Sequence, residues 1–323
     1  MKKLLIVLSL LAVLIVGFYM IIDGLSRKSF NETHPVPDLK VSADSAMLEH
    51  GRYLVYGPAH CAHCHSPIEN IAALEAGEEV DMTGGFEFAI PIGTIVTPNI
   101  TPDKETGIGS LTDGQLYRMM RHNVRSDGQA CIDFMPFFNM SERDIECVIA
   151  YIKSRKPLEK ENKESEYNML GKVIRSFVLK PSEPNGEPID FIARDSSVAY
   201  GKYLSESVAN CKGCHTNRDL KTGEFIGEPY AGGFQFGPDV STNNWTFTSP
   251  NITTDPTTGM LANWNEQQFI ARMRGGRVHQ YSPMPWGPFS RLSEDDLKAV
   301  YRYLVTVPPV TQTVTSVAIA PES

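Results

Sequence analysis

The pentapeptide Cys61-Ala62-His63-Cys64-His65 returns 150 residues later as Cys211-Lys212-Gly213-Cys214-His215. Both read C-x-x-C-H, the attachment spacing of a c-type haem. Two thiols bond to the two vinyl groups of one porphyrin, and the adjacent His supplies the iron's proximal ligand. A C-x-x-C pair alone would also fit a redox dithiol or half of a zinc site; the His directly after the second Cys argues against both. The expected cofactors are two covalently bound haem c groups. Cys61, Cys64, Cys211 and Cys214 would attach them, with His65 and His215 as proximal ligands.

The surrounding sequence repeats as well. Gly51-Arg52-Tyr53-Leu54 is echoed by Gly201-Lys202-Tyr203-Leu204, and Gly84-Gly85-Phe86 by Gly232-Gly233-Phe234. Pro98-Asn99-Ile100-Thr101 is echoed by Pro250-Asn251-Ile252-Thr253, and Ser141-Glu142-Arg143-Asp144 by Ser293-Glu294-Asp295-Asp296. Two copies are too few for a solenoid, so each is expected to bury its own core. A length of 323 residues accommodates two such domains.

The N-terminus differs in kind. Lys2 and Lys3 precede an uncharged apolar run from Leu4 to Ile22, 19 residues long. Secretory apolar regions run to about 7–15 residues, whereas a membrane span needs about 20. Met20-Ile21-Ile22-Asp23-Gly24 makes a poor cleavage site, so an uncleaved transmembrane anchor is expected over residues 1–22. Haem is attached outside the bacterial cytoplasmic membrane, which places the bulk of the chain in the periplasm. The net charge of −8, without a basic stripe, argues against nucleic-acid binding.

Composition and periodicity divide the rest. Residues 23–44 read as a linker, 45–160 as the first haem domain and 161–194 as a second linker broken by Pro181, Pro184 and Pro188. Within that linker, Leu170 to Leu179 has some helical spacing. Residues 195–310 form the second haem domain, and 311–323 a Thr/Ala-rich tail expected to be loose. Each domain opens on a helix running into the haem motif. Each closes on one capped by Ser141 or Ser293 with acidic residues in its first turn. A further helix opens at Ser110-Leu111-Thr112-Asp113 in the first and at Asn263-Trp264-Asn265-Glu266 in the second. Strand signals are sparse, so the fold class is mainly α with long loops wrapped round a cofactor.

The sixth iron position decides function: Met or His closes it for electron transfer, and an open position allows catalysis. Met135 lies 70 residues after His65 and Met284 lies 69 after His215, each followed by Pro within a loop. That matched placement selects them as distal ligands over Met120 and Met273, which align on a helix and read as core. His63, at a freely varying position of the first motif, is expected to face solvent. His60, His122 and His279 lack counterparts in the other copy and read as surface or packing residues. Asn99, Thr101, Asn251 and Thr253 have two readings, as donors to haem propionates or as turns that shape the loop. Cys131 and Cys147 are a buried thiol with an incidental one, or a disulfide clamping the Met135 loop to the following helix, or a metal or catalytic pair.

The stretch Pro91-Ile92-Gly93-Thr94-Ile95-Val96-Thr97-Pro98-Asn99-Ile100-Thr101-Pro102-Asp103, with the two C-x-x-C-H motifs and the Met-Pro pairs, resembles the multihaem cytochrome c subunits of membrane-bound bacterial alcohol and gluconate dehydrogenases. The resemblance covers roughly residues 45–310. Those subunits resemble three such domains and this chain has two. The resemblance implies two tandem class I cytochrome c domains with His/Met iron, behind the N-terminal transmembrane helix. It implies a membrane-anchored dihaem cytochrome c at the bacterial inner membrane, relaying electrons from a periplasmic dehydrogenase to the respiratory chain. A quinone, an oxidase or another cytochrome would be the acceptor. The alternative is a dihaem enzyme of peroxidase or thiosulfate dehydrogenase type, the latter with Cys131 on the first iron.

Overall fold

The computed structural model describes residues 2–219 and 223–321. The elements, in chain order, are α1 (Lys2–Ser26), α2 (Ser45–Tyr56), α3 (Cys61–His65), α4 (Ile71–Ala76), β1 (Glu87–Ile90), β2 (Gly93–Val96), α5 (Asp113–His122), α6 (Glu142–Ser154), β3 (Glu166–Tyr167) and α7 (Met169–Phe177). There follow α8 (Val198–Tyr203), α9 (Cys211–Cys214), β4 (Gln235–Phe236), β5 (Thr246–Thr248), α10 (Glu266–Arg274), α11 (Trp286–Ser290), α12 (Glu294–Leu304) and β6 (Ala318–Ile319). The fold is mainly helical, as its periodicity predicts. α1 is long and apolar enough to cross a membrane, and its side chains from Leu4 to Ile21 stand exposed.

The two sequence copies share one order of opening helix, motif helix, two strands, middle helix, closing helix and third strand, while α4 and α7 occur only in the first and α11 only in the second. In each, the opening helix crosses the closing one, α2 on α6 and α8 on α12. The crossings are close because a glycine sits at each. A Cβ on Gly51 would lie 2.0 Å from the Cys147 carbonyl oxygen, and one on Gly201 only 1.8 Å from that of Ala299. Any side chain there would push the helix pair apart. The middle helices α5 and α10 start on capping boxes, Thr112 with Gln115 and Asn265 with Gln268. Ile145, Val148, Ile149 and Ile152 of α6 are buried, as are Leu297, Val300 and Leu304 of α12. Met120 and Met273 are buried core residues on α5 and α10, as their helical placement predicts.

Strands are more numerous than the sequence suggests. β1, β2 and β3 form one antiparallel sheet and β4, β5 and β6 another. The third strand of each comes from beyond the closing helix. The tail expected to be loose is ordered through residue 321: Ala318–Ile319 pairs with β5, and the Thr311 hydroxyl donates to Asp255 at 2.6 Å. Residues 322 and 323 of that tail, and Met1 of the anchor, lie outside the described residues. A two-residue strand has too few positions to register as an alternation, so it leaves no sequence signal.

The copies do not bury separate cores. One apolar cluster runs from Met47 and Leu54 through Ile145 and Val148 to Leu204, Leu297 and Val300. The contact between copies is reciprocal. Tyr203 of the second copy accepts from the Ser141 amide at 3.0 Å and donates to Asp144 at 2.5 Å, completing the N-terminus of α6. Its counterpart Tyr53 accepts from the Ser293 amide at 2.9 Å and donates to Asp296, completing α12. Helix N-termini leave amides without intrahelical partners, and here each copy supplies the other's missing acceptor. Around this exchange, Glu75 at the end of α4 pairs with Arg277 at 2.9 Å and accepts from the Gly287 amide at 2.7 Å.

Candidate haem sites

The structure gathers the first set of predicted residues round one cleft of 2330 Å³. Cys61, Cys64, His65 and Met135 line it, together with Cys214 of the second motif. Ligand pockets for single small molecules are usually about 300–1,000 Å³, so this cleft has room for a group the size of haem. Cys211 and Met284 are half-buried and pack against the core, and His215 is half-buried.

Each motif is presented in the same way. A residue in the left-handed region, His60 at φ 40° or Asn210 at φ 53°, turns the chain into a one-turn helix carrying the two cysteines. The His that follows is oriented by a backbone carbonyl. His65 Nδ1 lies 3.0 Å from the Pro98 oxygen, and His215 Nδ1 lies 3.0 Å from the Pro250 oxygen. A carbonyl only accepts, so Nδ1 carries the proton and Nε2 keeps its lone pair, the tautomer an iron requires. Burial holds both rings below the ordinary histidine pKa, which keeps them neutral. The residues therefore fit a haem with axial histidine.

The thiols also fit attachment better than redox exchange. Burial pushes Cys61, Cys64 and Cys211 up to about 12 and Cys214 up to about 11. A redox dithiol needs a depressed thiol. The Cys64 thiol is raised further by Cys214 of the other copy, so the two motifs adjoin. Cys131 and Cys147 are free thiols, with no disulfide between them; burial pushes each up to about 11.

The methionine loops are pinned from two sides. Arg121 holds the first by donating to the Phe138 carbonyl at 2.6 Å, and Phe134 stacks on Phe88 of β1 with centroids 4.9 Å apart. In the second loop, Arg277 donates to the Ser282 carbonyl, and His279 packs edge-on against Trp245 and Phe247 of β5 at 4.5 and 4.8 Å. The small sheets thus serve as backing for the methionine loops, and His279 is a packing residue.

One expectation is overturned, and one pair of alternatives is decided. His63 does not face solvent. It sits half-buried where the copies meet, 4.0 Å from Glu75, and burial with His60 and Arg277 nearby drives it down to about 3. The Asn-Ile-Thr segments are structural. Asn99 Nδ2 donates to the Leu158 carbonyl at 2.8 Å and its Oδ1 accepts from Thr101; Asn251 does the same with Val310 at 2.7 Å and Thr253. All four side chains are consumed in tying the loop to the chain beyond the closing helix. Sequence reasoning missed the acceptors for His65 and His215. The residue before each Asn-Ile-Thr, Pro98 and Pro250, was the available signal.

Part of the chain matches a known family. Residues 198–308 match the cytochrome c family. A cytochrome c domain carries covalently bound haem c, in keeping with the motif it contains. The chain as a whole is similar to cytochrome c subunits of bacterial dehydrogenases. It is 28% identical over 286 residues to the cytochrome c subunit of alcohol dehydrogenase (quinone) from Gluconacetobacter polyoxogenes, covering 83% of this chain and 57% of that one. It is 27% identical over 289 residues to the fructose dehydrogenase cytochrome subunit of Gluconobacter japonicus, covering 85% and 55%. A diheme cytochrome c-type protein of Cereibacter sphaeroides is 22% identical over 270 residues, covering 79% and 84%. The chain thus spans little more than half the length of the dehydrogenase subunits it matches. The likeness supports electron transfer.

Proposed function

We propose that this chain is a membrane-anchored dihaem cytochrome c, with haem domains over residues 45–160 and 195–310. In this reading it passes single electrons from a periplasmic dehydrogenase to a respiratory acceptor: a quinone, an oxidase or another cytochrome. The observation that carries the reading is the duplicated ligand frame. A neutral histidine is held through Nδ1 by a proline carbonyl in each copy, and a Met-Pro loop is braced by arginine and aromatic contacts in each. Haem supplies the one-electron chemistry. The chain's own part would be to attach it through Cys61 and Cys64, or Cys211 and Cys214, and to offer His65 with Met135 and His215 with Met284 as iron ligands. Closed coordination and a buried setting favour electron transfer over ligand binding. The adjoining motifs, through Cys64 and Cys214, suit electron passage from one haem to the other. α1 would hold the protein at the inner membrane with both sites in the periplasm.

Electron paramagnetic resonance and resonance Raman of the untouched oxidised protein test this. Both irons are expected to be low-spin and six-coordinate. A native high-spin or thiolate-ligated iron would instead indicate a dihaem enzyme, with Cys131 the first residue to replace.

A further inference from the structure

α7 lies between the two haem domains in sequence, yet it packs on the anchor. It meets α1 at the end of the apolar run. Lys172 donates to the Tyr19 hydroxyl at 2.6 Å and pairs with Asp23, and the Ser176 hydroxyl reaches the Ile22 carbonyl at 3.2 Å. Lys172 and Ser176 are four apart and so share one face of the helix. A second face carries Gly171 and Arg175, also four apart. Gly171 sits against the Ile92 carbonyl at the β1–β2 turn, and Arg175 donates to Gln129 at 2.6 Å.

The third face is apolar and open. Met169, Val173 and Phe177 follow one another at four-residue spacing with Leu170 beside them, and Phe177 is 62% exposed. The segment 169–180 carries Lys172, Arg175 and Lys180 and no acidic residue, within a chain of net charge −8. Where α1 spans a bilayer, Tyr19 and Ile22 stand at the headgroup level, the usual depth of interfacial tyrosines. A helix held there, apolar on its open face and basic at its flanks, matches an interfacial amphipathic helix in both composition and depth.

We propose that α7 is a second membrane contact, seated in the lipid headgroup region with Met169, Leu170, Val173 and Phe177 against the acyl boundary. The inference rests on the reading of α1 as a membrane span. Its consequence is positional. Asp23, Lys172 and Ile174 line the same cleft as His65 and Met135, so seating α7 fixes the first haem site at the membrane surface.

The test uses the full haem-loaded chain in vesicles of phosphatidylethanolamine and phosphatidylglycerol. These also contain a phosphatidylcholine with a diazirine near the glycerol end of its acyl chain. After irradiation, peptide mapping is expected to find lipid adducts within residues 4–22 and also within 169–178. In the double variant Leu170→Glu with Phe177→Glu, adducts at 169–178 should fall to background while those at 4–22 and the haem spectrum persist. Adducts at 4–22 with none at 169–178 would overturn the proposal and leave the anchor standing, as would undiminished labelling of 169–178 in the variant. No adducts at 4–22 would overturn the anchor itself and the proposal with it.

Discussion

Replacing Met135 with Ala should open the first iron alone. The account expects carbon monoxide to bind one haem per chain, and the potential of that haem to fall on the order of 0.1 V or more, as loss of an axial thioether does. The second haem should keep its low-spin spectrum. Met284→Ala should give the converse. The independence follows from the separate bracing of the two loops, one by Arg121 and Phe88, the other by Arg277 and the Trp245–Phe247 pair. Carbon monoxide titration and potentiometry of the two variants check it. An unchanged spectrum in either would remove that methionine from the ligand set.

The second large effect concerns the contact between copies. Tyr203→Phe would strand the Ser141 amide and take a donor from buried Asp144; Tyr53→Phe would do the same to Ser293 and Asp296. Each unpaired buried group costs about 1–3 kcal/mol, so either variant should be destabilised by that order or more. Both tyrosines also make the protein sensitive to alkali. Burial first, then the neighbouring carboxylate, raises each hydroxyl above its ordinary pKa. Above the unfolded value of about 10 the unfolded chain loses these protons first. The contribution is therefore complete below pH 10 and declines as pH rises towards the folded value. Thermal melts across that range should show stability falling, and each Phe variant should melt lower at neutral pH with a shallower alkaline slope. Tyr56, Tyr200 and Tyr230 are raised by burial too, so the slope should diminish without vanishing. A variant that melts like the parent at neutral pH would show that the exchange adds nothing to stability.

What could be read from the sequence was local or duplicated. Helix starts at Ser141 and Ser293 were legible, and those at Thr112 and Asn265 to within a few residues, because a cap acts within three residues of itself. The motif and methionine positions stood out because two copies kept the same spacing. What stayed hidden depends on distant or backbone partners. The acceptors of His65 and His215 are carbonyls, which every residue possesses, so only the prolines before the two Asn-Ile-Thr segments mark their places. The Tyr53 and Tyr203 exchange joins residues 243 and 59 positions from their carboxylates. His63 was read as solvated because its motif position is unconstrained locally; in the structure it is half-buried, with Glu75 of its own copy and Arg277 of the other nearby. Periodicity for α7 was present, but its partner is the anchor some 150 positions away.

The most direct test of the central claim is the mass of the denatured protein. Covalent attachment survives denaturation, so the account predicts the polypeptide plus two haem masses. Cys61→Ser with Cys64→Ser, or Cys211→Ser with Cys214→Ser, should each leave one. A mass corresponding to a single haem, or to none, in the unaltered protein would contradict it.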